Sequence, residues 1–169
     1  MKLRRSAKLA TLTCAAAVAA TLCTTAFTPQ PAARHHSTGI VADWAAAWNG
    51  TDPDALGALF TADSSYTDQA IGVTMHGREE ISGWKTRTDA GIDDVHIKVR
   101  AVHRDGDHIT VETDYSGHIK GAPTPFSVPA VALLKVDSPH RLVTEQDYYN
   151  LSAVIAQSGL PADWSPSAS

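Results

Sequence analysis

Apolar residues recur at helical spacing at Ile40, Val41, Trp44, Ala45, Ala47 and Trp48, which predicts an amphipathic helix capped by Ser37 or Thr38 and stopped by Asn49-Gly50. A second helix is predicted from Asp52-Pro53, the Asp as N-cap and the Pro at the first helical position, with Leu56, Leu59 and Phe60 as its buried face. A short strand follows in which Tyr66 and Asp68 share a face by alternation. His76-Gly77 then turns into a third helix with Glu79 and Glu80 in its first turn and Ile81 and Trp84 facing inward.

Beyond Val95 the period changes from helical to two. Val95, Ile97, Val99 and Ala101 alternate with His96, Lys98, Arg100 and Val102, so one face is core and the other mostly polar. Asp105-Gly106 signals a two-residue hairpin that would set His103 opposite His108. Further strands run from Ile109 to His118, Phe126 to Val136 and Leu142 to Tyr148. A closing helix carries Leu151, Val154 and Ile155 and ends at Gly159. This order predicts one α+β domain over residues 40–161. It is a cone-shaped roll in which a curved antiparallel sheet carries three N-terminal helices on its concave face and a short C-terminal helix. Residues 162–169 are expected to form a flexible tail.

The first residues change the picture. Met1 to Lys8 is basic, and Leu9 to about Ala26 is an Ala-rich apolar run ending in small residues, the pattern of a cleaved secretory signal peptide. Cleavage is expected near Ala26 or Ala33, with residues 34–39 as linker and the product secreted. Both cysteines, Cys14 and Cys23, lie in this leader, so the mature chain would have no disulfide, thiol nucleophile or cysteine metal ligand. Cutting after Ala26 removes Lys2, Arg4, Arg5 and Lys8 from 14 basic residues, leaving ten against 18 acidic and a net charge of −8. Nucleic acid and anionic membrane are poor partners for such a surface.

Candidate chemistry is carboxylate chemistry. On the strand Ile109 to His118, Glu112, Asp114, Ser116 and His118 share one face and Val111, Thr113 and Tyr115 the other. If the first set faces the cone, Asp68, Glu112, Asp114 and Asp147 converge there. They could not all ionise among apolar side chains, which would give a neutral acid beside an ionised base. The opposite parity, with Val111, Thr113 and Tyr115 inside, is the ordinary pattern of a half-buried strand. His118 could shuttle a proton or donate to a substrate. Tyr66, Trp44 and Trp84 are core positions that in a hollow cone double as substrate contacts. No phosphate loop, Ser-His-Asp order or His-Glu-x-x-His motif is present, and His103 with His108 lacks a third ligand, so no metal or cofactor is expected.

The stretches Ala47-Trp-Asn-Gly-Thr-Asp-Pro-Asp-Ala-Leu-Gly-Ala-Leu-Phe60, Tyr66-Thr-Asp68, His76-Gly-Arg-Glu-Glu-Ile81, Gly117-His118 and Glu145-Gln-Asp-Tyr-Tyr-Asn150 together resemble the nuclear transport factor 2-like superfamily, and within it the SnoaL-like group. The resemblance implies the cone fold. It also implies roles for three residues: Asp68 falls where ketosteroid isomerases carry a proton-abstracting Asp, Asp114 and Asp147 where limonene epoxide hydrolase-like members carry an Asp pair, and Asp147 near the acid/base Asp of polyketide cyclases. Glu112 stands where those hydrolases place an Arg, and the first helix offers Trp44 and Trp48 but no oxyanion-hole Tyr.

Two functions stay open. One is a cofactor-independent isomerase, cyclase or hydrolase for an apolar, oxygen-bearing small molecule, with Asp147 as acid/base, Asp114 as its partner, Asp68 as second base, and Tyr66, Trp84, Glu112, His118 and Trp44 as substrate contacts. The other is a non-catalytic ligand-binding or interaction module, which export favours. A homodimer through the open sheet face, common in the superfamily, suits either.

Overall fold

A computed structural model describes residues 39–166; the expected leader and most of the linker lie outside the described residues. Helix α1 spans Ile40–Asn49 and buries Ile40, Val41, Trp44, Ala47 and Trp48. Its N-cap position is Gly39, with no side-chain cap, so neither Ser37 nor Thr38 holds that position. Helix α2, Pro53–Ala58, starts as its sequence dictates: the Asp52 carboxylate accepts from the Asp54 N–H at 3.0 Å and Pro53 opens the first turn. Strand β1, Phe60–Asp68, and strand β2, Val73–His76, form a hairpin. Helix α3, Gly77–Gly91, follows, with Glu80 accepting from the His76 N–H at 2.7 Å.

Four long strands complete the sheet: β3 (Ile92–Asp105), β4 (His108–Ile119), β5 (Phe126–Ser138) and β6 (Arg141–Tyr149), before helix α4 (Leu151–Gln157) capped by the Asn150 side chain. The six strands run in the order β2-β1-β6-β5-β4-β3. All pairs are antiparallel except β1 with β6, which is parallel and sets Tyr66 beside Glu145 and Asp68 beside Asp147. This open sheet with helices is the expected mixed α+β class. The short β2 and the parallel pair were not foreseen, because neither four-residue pairing nor strand direction leaves a mark in residue periodicity.

Bulges bend the strands and reset their parity. In β3 the register slips at Arg100, so Val102 rather than Ala101 joins Val95, Ile97 and Val99 against the core. In β6 it slips at Val143, so Leu142 and Glu145, three apart, are both buried. The β3–β4 turn is Gly106-Asp107, one residue later than expected. His103 therefore faces Thr110 and not His108.

Two apolar clusters form. The larger joins α1, Leu56 of α2, Ile81 of α3 and the inward residues of the sheet. The smaller gathers Ile119, Ala122, Phe126, Val128 and Val154, with Trp164 packed against it from the segment expected to be a free tail. Helices α2 and α3 approach closely at Gly57, where a Cβ would come 2.2 Å from Ser82 Oγ and 2.6 Å from the Arg78 carbonyl oxygen. Because the second neighbour is backbone, Gly57→Ala should cost about 1–3 kcal/mol in urea unfolding despite alanine's better helix propensity. Unchanged or increased stability would contradict this packing.

Candidate functional site

A cavity of about 940 Å³, partly open to solvent, is lined from both apolar clusters: Trp44, Trp48 and Met75 from one, Ile119, Val154 and Trp164 from the other. Its polar floor is made by β1 and β6. On β6, Glu145, Asp147 and Tyr149 alternate inward, and on β1 Tyr66 and Asp68 do the same one strand away, roughly 4.8 Å in the hydrogen-bonding direction. Opposite Asp147 and Tyr149, β5 presents Ala132 and Ala130, whose small side chains leave the space above the carboxyl open.

The polar contacts are specific. The Tyr66 hydroxyl donates to Asp147 Oδ2 at 2.7 Å, the Tyr149 hydroxyl to Asp68 Oδ2 at 3.0 Å, and the Trp44 indole N–H to Glu145 Oε1 at 2.8 Å. Asp68 Oδ1 accepts from the backbone N–H groups of Ala70 and Ile71 at 3.0 and 3.2 Å, which ties this carboxylate to the β1–β2 turn. Three buried polar atoms in this region have no partner: Asp147 Oδ1, Glu145 Oε2 and Trp48 Nε1. Among the described residues, no Lys, Arg or His pairs with Asp68, Glu145 or Asp147.

Buried without a cation, the acids are all pushed toward their neutral forms. Burial pushes Asp147 up to about 7, with the Tyr66 hydrogen bond opposing the rise and the neighbouring Asp68 charge adding to it. Burial and then the Asp147 charge raise Glu145 well above the usual carboxylate range, against the Trp44 donor. Asp68 is raised by burial too, though Tyr149 and the two backbone donors pull it back. Burial, followed by the charges of these acids, raises Tyr66 in turn.

Aromatic faces wall the chamber. Trp48 and Tyr66 lie 6.1 Å apart, Tyr66 and Trp84 6.4 Å, and Tyr115 and Tyr149 5.4 Å, all tilted or edge-on. The two cations on the lining, Arg87 and Lys120, are exposed: Arg87 lies over the Trp84 ring at 5.5 Å, and Lys120 pairs with Asp93 at 3.5 Å.

Asp147, Asp68, Tyr66, Trp84 and Trp44 thus meet at one cavity. Asp114, Glu112 and His118 do not. Strand β4 turns Val111, Thr113 and Tyr115 inward, and that parity corrects the expected convergence. Asp114 pairs on the outer side with Arg100 at 3.2 Å, and Glu112 lies 3.2 Å from His103 beside a separate depression of about 260 Å³. His118 Nε2 sits 2.9 Å from the Ala122 carbonyl oxygen. Tyr115, Tyr149 and above all Glu145 were missed as site residues. Parity with Asp147 could have found Glu145, but counting from Leu142 across the unseen bulge at Val143 gives it the wrong face.

Residues 41–144 match the family model described as SnoaL-like domain. Among solved structures, a hypothetical protein with a ketosteroid isomerase-like protein fold from Catenulispora acidiphila, in complex with trimethylamine, is 61% identical; the match covers 75% of this chain and 97% of that one, with a TM-score of 0.73. A nuclear transport factor 2-like protein from Burkholderia thailandensis is 25% identical over 72% of this chain and 95% of its own, with a TM-score of 0.62. An LEH-like epoxide hydrolase from M. tuberculosis, 17% identical over 70% and 85% of the two chains, shares the fold at a TM-score of 0.60. Curated proteins supply no match.

A carboxyl whose folded value is raised binds more protons in the native than in the unfolded state, so its contribution to stability falls as pH rises between the two values. For Asp147 the window runs from its ordinary 3.8 to about 7. Urea unfolding of the full chain should therefore show stability declining from pH 4 to 7. Asp147→Asn should flatten part of that decline and raise Tm at pH 8 by about 3 °C or more, roughly what 1 kcal/mol does in a domain of this size. A variant less stable than wild type at pH 8 would mean that the carboxylate is better solvated than its burial implies.

Proposed function

The chain belongs to the SnoaL-like domain family, and we propose that it handles a small apolar molecule by proton transfer at Asp147, without a cofactor. One observation carries this reading: the Asp147 carboxyl is buried at the cavity floor, one oxygen is held by Tyr66, the other has no partner, and its proton is lost near pH 7. A group poised at the working pH can both take and return a proton, which is what enolisation or ring closure of an oxygen-bearing substrate requires. Tyr66 stabilises the ionised form, and the aromatic walls exclude water from the substrate's apolar part. Asp68 is the second acid within the chamber, restrained by its turn. Asp114, on the outer side, has no part in the proposed reaction.

The test uses cyclohexanone in D₂O, with loss of the protons next to the carbonyl followed by NMR. The full chain should speed exchange over buffer by roughly 10²-fold, the lower end of what a positioned acid/base supplies, and Asp147→Asn should return it to the buffer rate. Exchange at the buffer rate with the wild type would count against proton transfer to ketones.

A second reading, a binding module, is favoured by the trimethylamine held by the 61% identical relative. Such an amine is a cation at neutral pH, and this chamber offers it Trp and Tyr faces beside carboxyls without counter-ions. Calorimetric titration should then show trimethylammonium binding at pH 8, tert-butanol of the same shape failing to bind, and Asp147→Asn weakening the cation about tenfold or more. Equal binding of the two would rule out recognition by charge.

Export belongs to the same proposal and rests on the basic Met1–Lys8 and apolar Leu9–Ala26 stretches. N-terminal sequencing of protein from the medium should begin after Ala26 or Ala33. Pairing through the outer sheet face, where Leu133 and Tyr148 are 40% and 43% exposed, would supply the proposed homodimer.

A further inference from the structure

We infer that Glu145 is a positioning residue that stays protonated behind Asp147 and donates its proton to the Asp147 carboxylate, so that this pair carries one negative charge rather than two. The inference rests on the proton-transfer reading of Asp147, but its test needs no turnover.

Asp147 lines the cavity and Glu145 does not. Glu145 lies two residues earlier on the same face of β6, with 0% of its surface exposed, in contact with α1 through Trp44. Each carboxyl is anchored by one oxygen, Glu145 Oε1 by the Trp44 indole and Asp147 Oδ2 by the Tyr66 hydroxyl. Each also keeps one buried oxygen without a partner. Two adjacent carboxyls without a cation cannot both ionise in an apolar chamber, and one shared proton satisfies both free oxygens. The remaining groups facing the pair do not supply an alternative donor of charge. Tyr66 and Asp68 come from β1, Tyr149 from β6 and Tyr115 from β4. Glu80 and Arg87 come from α3, Lys120 follows β4, and β5 offers only Ala130 and Ala132 beside Asp147 and Tyr149.

Each carboxyl has one donor, so the proton stays on Glu145 because its surroundings favour the neutral form more strongly: it is fully enclosed, whereas Asp147 has the cavity in front of it. The raised values agree, with Asp147 losing its proton near 7 and Glu145 well above the usual range. Glu145 thereby keeps Asp147 usable as a base. Without that donor, burial would hold Asp147 protonated through neutral pH.

The experiment follows the side-chain carboxyl carbons by ¹³C NMR from pH 4 to 10 in the full-length wild type, Glu145→Gln and Glu145→Leu. In the wild type the Asp147 carbon should shift with a midpoint near 7 while the Glu145 carbon stays at its protonated position until higher pH. Glu145→Gln keeps a neutral donor and should leave the Asp147 midpoint within about half a pH unit. Glu145→Leu should move it up by about one unit, a tenfold change in proton affinity. A midpoint that falls by a unit in Glu145→Gln would show that Glu145 was ionised and overturn the inference. So would a Glu145 carbon that titrates before Asp147, or a Leu variant that leaves the midpoint in place. If Glu145→Leu fails to fold, the wild-type and Gln titrations decide alone. Inert ketone exchange with this titration pattern intact would remove the proton-transfer reading and leave the shared proton standing.

Discussion

The parallel pairing of β1 with β6 is the constraint on which the site depends. It closes the sheet connection between the N-terminal hairpin and the last strand, and its register brings Tyr66 level with Glu145 and Asp68 level with Asp147. A slip of one residue in β6 would exchange Glu145, Asp147 and Tyr149 for Thr144, Gln146 and Tyr148 and leave Asp68 of β1 as the carboxyl of the floor. Arg141 and Arg78 brace this junction, donating to the carbonyl oxygen of Phe60 at 3.3 and 2.6 Å, where β1 begins. Leu142 extends it by donating its N–H to the Leu59 carbonyl oxygen.

Given that register, the electrostatics follow from what is absent around the acids. Interior carboxyls in folded proteins are ordinarily matched by a cation or saturated by donors. Here they are met by phenols and indoles, which supply hydrogen bonds without neutralising charge. The domain tolerates this because burial pushes the acids toward their neutral forms, and the same circumstance makes one of them responsive around neutral pH. The apolar clusters at either end must then carry the stability that the floor does not.

Much of the architecture was legible in the chain. The period change near Val95, the Asp52-Pro53 start and the weakly specific motifs from Ala47 to Asn150 together led to the α+β roll and the SnoaL-like family. Half of the site was legible with it, since Tyr66, Asp68 and Asp147 do meet at the cavity. The errors in facing come from two limits of alternation: first, it tells which residues share a face but not which face is inside. It also fails wherever a bulge inserts a residue, as at Arg100 and Val143. Glu112 and Asp114 were misplaced by the first limit and Ala101 by the second, which also hid Glu145. Trp164 was lost differently: a lone aromatic in a Pro- and Ser-rich stretch has no period at all.

The alanines of β5 carry a consequence for how such a chamber can diversify. Ala130 and Ala132 set the headroom over the acids, yet neither forms a side-chain hydrogen bond nor bears charge. Enlarging either to Val or Leu would trim the accommodated shape while leaving the proton chemistry beneath it intact. Capacity and reactivity are therefore assigned to different strands, and a lineage could retune one without first disabling the other.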